Sequence, residues 1–119
     1  MLRIEFIDKT TKALDNKTVE IENYTCGDYM VNVYTTVYSD DGTTYRTIRV
    51  GSVKEYAPSI FHNEGISIDG TVAREYFEIQ TTAYGAKEVD EIERIIAGYQ
   101  QAVAVVTLLT AKFIDGREA

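Results

Sequence analysis

The residues that could perform chemistry are few: the chain of 119 residues has one histidine, His62, and one cysteine, Cys26. Nucleophilic catalysis requires a base held beside a nucleophile, and neither residue stands in a recognisable catalytic motif. A histidine in a turn after Pro58 is typical of a solvated loop residue. A cysteine next to Gly27 is typical of a small hydrophobe. These residues predict a protein that is not an enzyme.

Ligands for a metal ion or a cofactor are equally scarce in the sequence. The run Asp40-Asp41-Gly42 lacks the regular oxygen-ligand spacing and the terminal glutamate of a calcium loop. A single cysteine excludes a four-cysteine zinc site. Gly65 and Gly70 have neither the spacing nor the lysine of a phosphate-binding loop. We therefore predict neither a metal site nor a bound cofactor.

The charge of the chain bears on its partners and its compartment. The 19 Asp and Glu residues outnumber the 12 Lys and Arg residues, for a formal net charge of −7. Direct nucleic-acid binding is not expected, because affinity for phosphates comes from clustered cations. The same charge attracts basic proteins, although acidity also serves solubility alone. The unpaired cysteine fits a reducing compartment, and we predict a cytoplasmic protein of a bacterial host cell.

Alternation of apolar and polar residues predicts strands in the first half of the chain. The segments 2–6 and 19–22 alternate, whereas the polar segment 8–17 predicts a loop. Asp41-Gly42 between two β-rich runs predicts a hairpin with an even-length loop. The face of this hairpin that should meet the core contains Val31, Val33, Thr35, Val37, Thr44, Arg46, Ile48 and Val50. The opposite, outer face contains Met30, Asn32, Tyr34, Thr36, Tyr38, Thr43, Tyr45, Thr47 and Arg49.

The middle of the chain has a less regular pattern. The segment 59–65, which contains His62, follows Pro58 and has the composition of a loop. In the segment 72–84, apolar residues alternate with polar ones around Phe77, which favours a strand. The same segment also fits one face of a helix.

The final third of the chain carries the clearest pattern. Apolar residues recur at intervals of three and four and predict a helix over 86–114, with an acidic start that suits the positive end of the helix dipole. Such a helix spans about 40 Å, against about 27 Å for an eight-residue strand, so it should overhang a sheet. Its apolar part is too short to cross a membrane. Burial against the sheet is expected, and a homodimer would hide Leu108, Leu109 and Phe113.

Together these elements predict one α+β domain that spans residues 1–119. Residues 1–85 are mainly β, residues 86–114 form the long helix, and residues 115–119 form a tail. The predicted architecture is an antiparallel, twisted sheet of four to six strands with one long C-terminal helix packed on one face.

Two surfaces are candidates for binding a partner. Spaced carboxylates can imitate nucleic-acid phosphates in a basic groove. The helix dipole by itself also explains why acidic residues occur at a helix start. Tyrosines are favoured at interfaces, and they also stabilise cross-strand pairs. The acidic candidates are Glu88, Asp90, Glu91, Glu93, Asp40 and Asp41. The tyrosine candidates are Tyr34, Tyr38 and Tyr45.

In its small size, acidity and lack of catalytic residues, the chain resembles the proteins encoded by phages and mobile elements, and particularly the anti-CRISPR inhibitors of Cas9. The resemblance implies a stoichiometric inhibitor that binds a basic nucleic-acid-processing protein, such as a Cas9-type effector, and blocks its DNA-binding surface. An alternative is a phage or mobile-element assembly protein that oligomerises through its apolar C-terminal helix. A small-molecule pocket between sheet and helix is a third possibility.

Overall fold

A computed structural model describes residues 1–52, 54, 57–63, 75–81 and 88–118 of the chain. It shows an open sheet of six antiparallel strands that are neighbours in chain order, followed by a C-terminal helix. The strands are β1 (Ile4–Ala13), β2 (Lys17–Cys26), β3 (Tyr29–Tyr38), β4 (Thr44–Ser52), β5 (Ser59–Asn63) and β6 (Tyr76–Gln80), and the helix is α1 (Val89–Leu109). The predicted α+β class and the antiparallel sheet with one C-terminal helix are confirmed.

The first hairpin differs from the sequence prediction. Residues 8–17, predicted to form a loop, belong mostly to β1, and the turn to β2 is confined to Leu14, Asp15 and Asn16. The backbone N–H of Leu14 donates to the carbonyl of Lys17 at 2.8 Å. This edge strand is exposed along nearly its whole length, so the backbone ladder to β2 holds it and not an apolar pattern. Its charged side chains and a bulge between Phe6 and Asp8 are typical of a protected sheet edge.

The hairpin of β3 and β4 forms as the sequence predicts. Val33 pairs with Ile48 and Tyr34 pairs with Thr47, which confirms the division into a core-facing and an outer face. Gly42 has a φ of 72°, a left-handed value that glycine adopts without a steric penalty. The Asp41 carboxylate accepts a hydrogen bond from the backbone N–H of Thr43 at 2.9 Å. Hydrogen bonding to Thr43 lowers the pKa of Asp41, so this turn carboxylate stays ionised.

The fifth and sixth strands revise the prediction for the middle of the chain. Residues 59–63 form β5 and not a loop, because their backbone pairs with β6 from Ser59–Gln80 to Asn63–Tyr76. The β6 strand confirms the strand prediction for 76–80. The remaining residues of the predicted 72–84 strand, except Glu75 and Thr81, lie outside the described part of the chain.

The helix α1 continues without interruption into a wider π-helical turn (Thr110–Ile114) and then a short 3-10 helix (Asp115–Glu118), where a tail was predicted. Residues 86 and 87 of the predicted helix lie outside the described residues. The buried side chains of this C-terminal segment are Ala102, Val105, Leu109 and Phe113. They pack on a core of strand residues that consists of Tyr24, Cys26, Tyr29, Val31, Val33, Ile48, Ile60 and Phe77.

A glutamine anchors the middle of α1 to one end of the sheet. The Gln101 amide accepts a hydrogen bond from the Asp28 backbone N–H at 2.8 Å and donates one to the Asp28 carboxylate at 3.1 Å. Asp28 lies in the turn between β2 and β3, where Gly27 has a φ of 59°. The buried residues of α1 begin only at Ala102, and the half of the helix before that point encloses a cavity of about 260 Å³ with this end of the sheet. The first half of the helix therefore lies beside the sheet without burying a side chain completely, and the predicted overhang stays a prediction.

Candidate functional site

The first half of α1, up to Val103, exposes a row of large apolar side chains, which we call the apolar stripe. The stripe consists of Val89, Ile92, Ile96, Tyr99 and Val103, whose exposed fractions range from 42% for Ile92 to 69% for Val89. No charged residue occurs between Arg94 and Lys112. Soluble monomers rarely expose a contiguous apolar surface of this kind, and such surfaces mark interaction sites.

The residues that were expected to form a self-association patch at the end of the helix are covered within the chain. Leu109 is fully buried and Phe113 is 7% exposed, while Leu108 packs half-buried against the core. The prediction that these three residues form an exposed patch is wrong, because the end of the helix lies over the centre of the sheet. The Phe113 ring contacts the Tyr24 ring edge-on, with 5.5 Å between their centroids.

The acidic candidates fall into two groups. Glu88, Asp90 and Glu93 are exposed at the start of α1, and Glu91 is half-buried there. Within this group Asp90 lies 3.4 Å from an Arg94 guanidinium nitrogen, an exposed ion pair that contributes little to stability.

Asp40 and Asp41 lie at the far end of the sheet from the acidic helix start. They follow β3, whose ten residues span about 30 Å from the turn at Asp28. Because Gln101 fixes the helix at that turn, the structure does not bring the two acidic groups into one surface.

The tyrosine candidates do share the outer face of the sheet. The rings of Tyr38 and Tyr45 meet edge-on at 5.7 Å between centroids, beside a cavity of about 410 Å³ that Asp40 and Asp41 help to line. The chain supplies its own cations to these rings, with Lys17 at 5.7 Å from the centre of Tyr38. Likewise, Arg49 lies 5.4 Å from the centre of Tyr34.

A buried ionic cluster joins the sheet to the end of the helix. The Arg46 guanidinium donates to both carboxylate oxygens of Glu75, at 2.8 and 3.1 Å, and to the carbonyl of Phe113 at 2.9 Å. Nε2 of His62 lies 2.5 Å from Oε2 of Glu75. The side chains of Arg46, Glu75 and His62 are only 17%, 12% and 2% exposed. With so little access to solvent, we interpret the cluster as structural.

This ionic cluster was not predicted from the sequence, although the sequence contains one sign of it. The interpretation of His62 as a solvated loop residue is wrong, since the imidazole lies on β5 beneath the helix end and tilts against the Phe77 ring at 5.2 Å. The hairpin parity had already placed Arg46 on the core-facing side next to Ile48. A cation on an apolar face needs a buried counter-ion, and that requirement pointed to an unassigned acid elsewhere in the chain.

Two further groups in the described part of the chain have altered pKa values because they are buried. Cys26 is fully buried, and burial raises the pKa of its thiol, so it behaves as the predicted small hydrophobe. Burial and a hydrogen bond to Glu22 raise the pKa of Tyr24 to about 12. Among the described residues, no group of three His, Cys, Asp or Glu side chains could hold a metal ion.

The geometry therefore singles out the exposed start of α1. No family model, curated protein or solved structure matches the chain. By length and composition alone, one helical segment in the described residues, Val89–Ile114, could cross a membrane. That is weak evidence, because the core helix of a soluble protein meets the same criteria.

Proposed function

We propose that the protein is a non-catalytic assembly domain that associates with further copies of itself through the exposed face of α1. The observation that carries this proposal is the apolar stripe. An exposed row of Ile96, Tyr99 and Val103, in a helical segment without charges, costs solubility and remains about half exposed in the folded chain. A structural role of this kind fits the particle and assembly proteins that phages and mobile elements encode.

The distribution of buried residues along the helix supports self-association over a role for the stripe in packing within one chain. Ala102, Val105 and Leu109 on the opposite face already bury the part of α1 that the sheet needs. The start of the helix adds about 18 Å of further length before Gln101. This extra length buries no side chain completely within the chain, which is the expected arrangement if a second molecule covers it.

A charge placed in the stripe tests the proposal. We expect Ile96→Glu to weaken self-association at least about tenfold, because association would bury two carboxylates without partners. The substitution should leave the fold intact, since Ile96 is 51% exposed and glutamate is a good helix former. The measurement is the molar mass by light scattering over a range of concentrations.

Thr47→Glu is the matched control for this experiment. It makes the same change in charge at an exposed position on the outer face of β4, and it should leave the mass of the assembly unchanged. If both variants dissociate alike, net charge and not the stripe governs association, and the proposal fails.

A second candidate is capture of a basic nucleic-acid-processing protein, such as a Cas9-type effector, by the acids at the start of α1. The observation that favours it is that Glu88, Asp90 and Glu93 are exposed at the start of the helix. Competition between the protein and target DNA for a purified effector would test it, and strong binding should weaken steeply with salt. Binding that persists unchanged in high salt would exclude this charge-driven mechanism.

A further inference from the structure

Three series of exposed residues run along α1 at seven-residue intervals. Seven residues turn a helix by almost two full turns, so each series lies nearly parallel to the helix axis. Large side chains form one edge of the exposed face, at Val89, Ile96 and Val103. Alanines form the other edge, at Ala97, Ala104 and Ala111. The middle line between the two edges consists of Glu93, Gln100 and Thr107, and all nine residues are exposed.

This pattern matches itself when a second helix is turned by a two-fold axis at Gln100. The axis places Ile96 next to Val103 of the second copy, and Val103 next to its Ile96. On the other edge it places Ala97 next to Ala104 of the second copy. Alanine against alanine lets helix axes approach to about 8 Å, the close end of the usual range. One axis therefore pairs the two central large residues with each other and the two central alanines with each other, and it places Gln100 next to Gln100 of the second copy.

The charges on the middle line decide between the two possible directions of the second helix. In a parallel pair Glu93 would face the same carboxylate of the other copy, and both acidic helix starts would lie side by side. Like charges in direct opposition are destabilising. In the antiparallel pair Glu93 faces Thr107 of the second copy, and the two acidic starts lie about 30 Å apart along the helices.

We propose that two copies of the chain pair through antiparallel α1 helices about a two-fold axis at Gln100, with the apolar stripe and the alanine edge in contact. This inference rests on the assembly function proposed above and adds its partner, direction and register. The pairing is isologous, because each copy presents the same surface. It covers the exposed face of α1 on both sides of Gln100 and leaves the outer tyrosine face of the sheet free.

Variants with one added cysteine each test the direction and register of the helix pair. Gln100→Cys should form a disulfide-linked dimer on mild oxidation, because the two residues at the axis approach within the range that a disulfide spans. Thr107→Cys should not, because its two copies lie about 21 Å apart in the antiparallel pair. Wild type is the control for the native cysteine, since Cys26 is fully buried and should not cross-link.

Non-reducing electrophoresis and the molar mass of each unoxidised variant are measured together. A linked dimer with Gln100→Cys alone supports the proposal. Efficient linkage of Thr107→Cys would indicate a parallel pair and overturn it. A dimer in solution in which neither variant links would overturn the register while self-assembly stands. A monomer at all concentrations would overturn both this inference and the assembly function.

Discussion

Replacing Glu75 with glutamine should lower the free energy of unfolding by about 3–5 kcal/mol, the loss expected when a buried charge is left without its counter-ion. Arg46 would keep its charge beneath the helix end, with only the carbonyl of Phe113 and a neutral amide to solvate it. His62 would also lose the carboxylate that its Nε2 contacts. Urea unfolding monitored by circular dichroism measures the change.

Glu78→Gln is the matched control, since it makes the same substitution three residues along, where the carboxylate has only an exposed hydrogen bond with Gln80. We expect its effect to stay within about 0.5 kcal/mol. Adding Arg46→Met to Glu75→Gln should recover much of the loss, because the unpaired charge is removed. Equal, small losses in Glu75→Gln and Glu78→Gln would show that the cluster does not stabilise the fold.

A chain that ends at Ala102 should fail to fold. The truncation removes the buried side chains of Val105, Leu109 and Phe113, which contribute about 5–9 kcal/mol at about 1.5–3 kcal/mol each. It also removes three half-buried residues that pack on the core, namely Val106, Leu108 and Ile114. The total is comparable to the net stability of a typical domain, about 5–15 kcal/mol. Thermal melting should show no cooperative transition.

Two point variants separate the two faces of α1 in the same assay. Leu109→Ala should cost about 2–5 kcal/mol, because it opens a cavity in the core. Val103→Ala should cost less than about 1 kcal/mol, because Val103 is 44% exposed in the monomer. A truncated chain that still melts cooperatively would contradict the role of the helix end as the main cover of the sheet.

The sequence was sufficient to predict those elements whose local pattern agrees with the final fold. The Asp41-Gly42 turn determines the register of β3 and β4, since the left-handed turn geometry and the alternation of Val31 and Val33 demand the same pairing. The helix is equally easy to predict, because its apolar period, acidic start and length all indicate one long amphipathic element.

The strand segments that were not predicted from the sequence, residues 8–13 of β1 and the whole of β5, are stabilised by pairing and not by their own composition. Most of β1 is polar on both faces, and β5 consists of only five residues around His62. Their backbone hydrogen bonds depend on a neighbouring strand, which no local pattern reveals.

The burial of the helix could be predicted only in part for a similar reason. Apolar residues surround most of α1, so its pattern alone cannot say which of them meet the sheet. The anchoring of Gln101 to the turn at Asp28 settles this, since it sets the helix so that Leu109 and Phe113 are buried on the core while Ile96 stays exposed. That contact joins residues 73 positions apart, so the local pattern of apolar residues does not predict it.

Sedimentation equilibrium of the wild-type chain at low and high salt tests whether the chain dimerises through the apolar stripe. Such a dimer predicts a mass that rises from that of one 13.4 kDa chain to that of two as concentration increases. Raising the sodium chloride concentration from about 0.05 to about 1 M should leave the dimer intact, because an apolar helix contact is not screened by salt. A single-chain mass at every concentration, or a dimer that high salt dissociates, would contradict assembly through the apolar stripe.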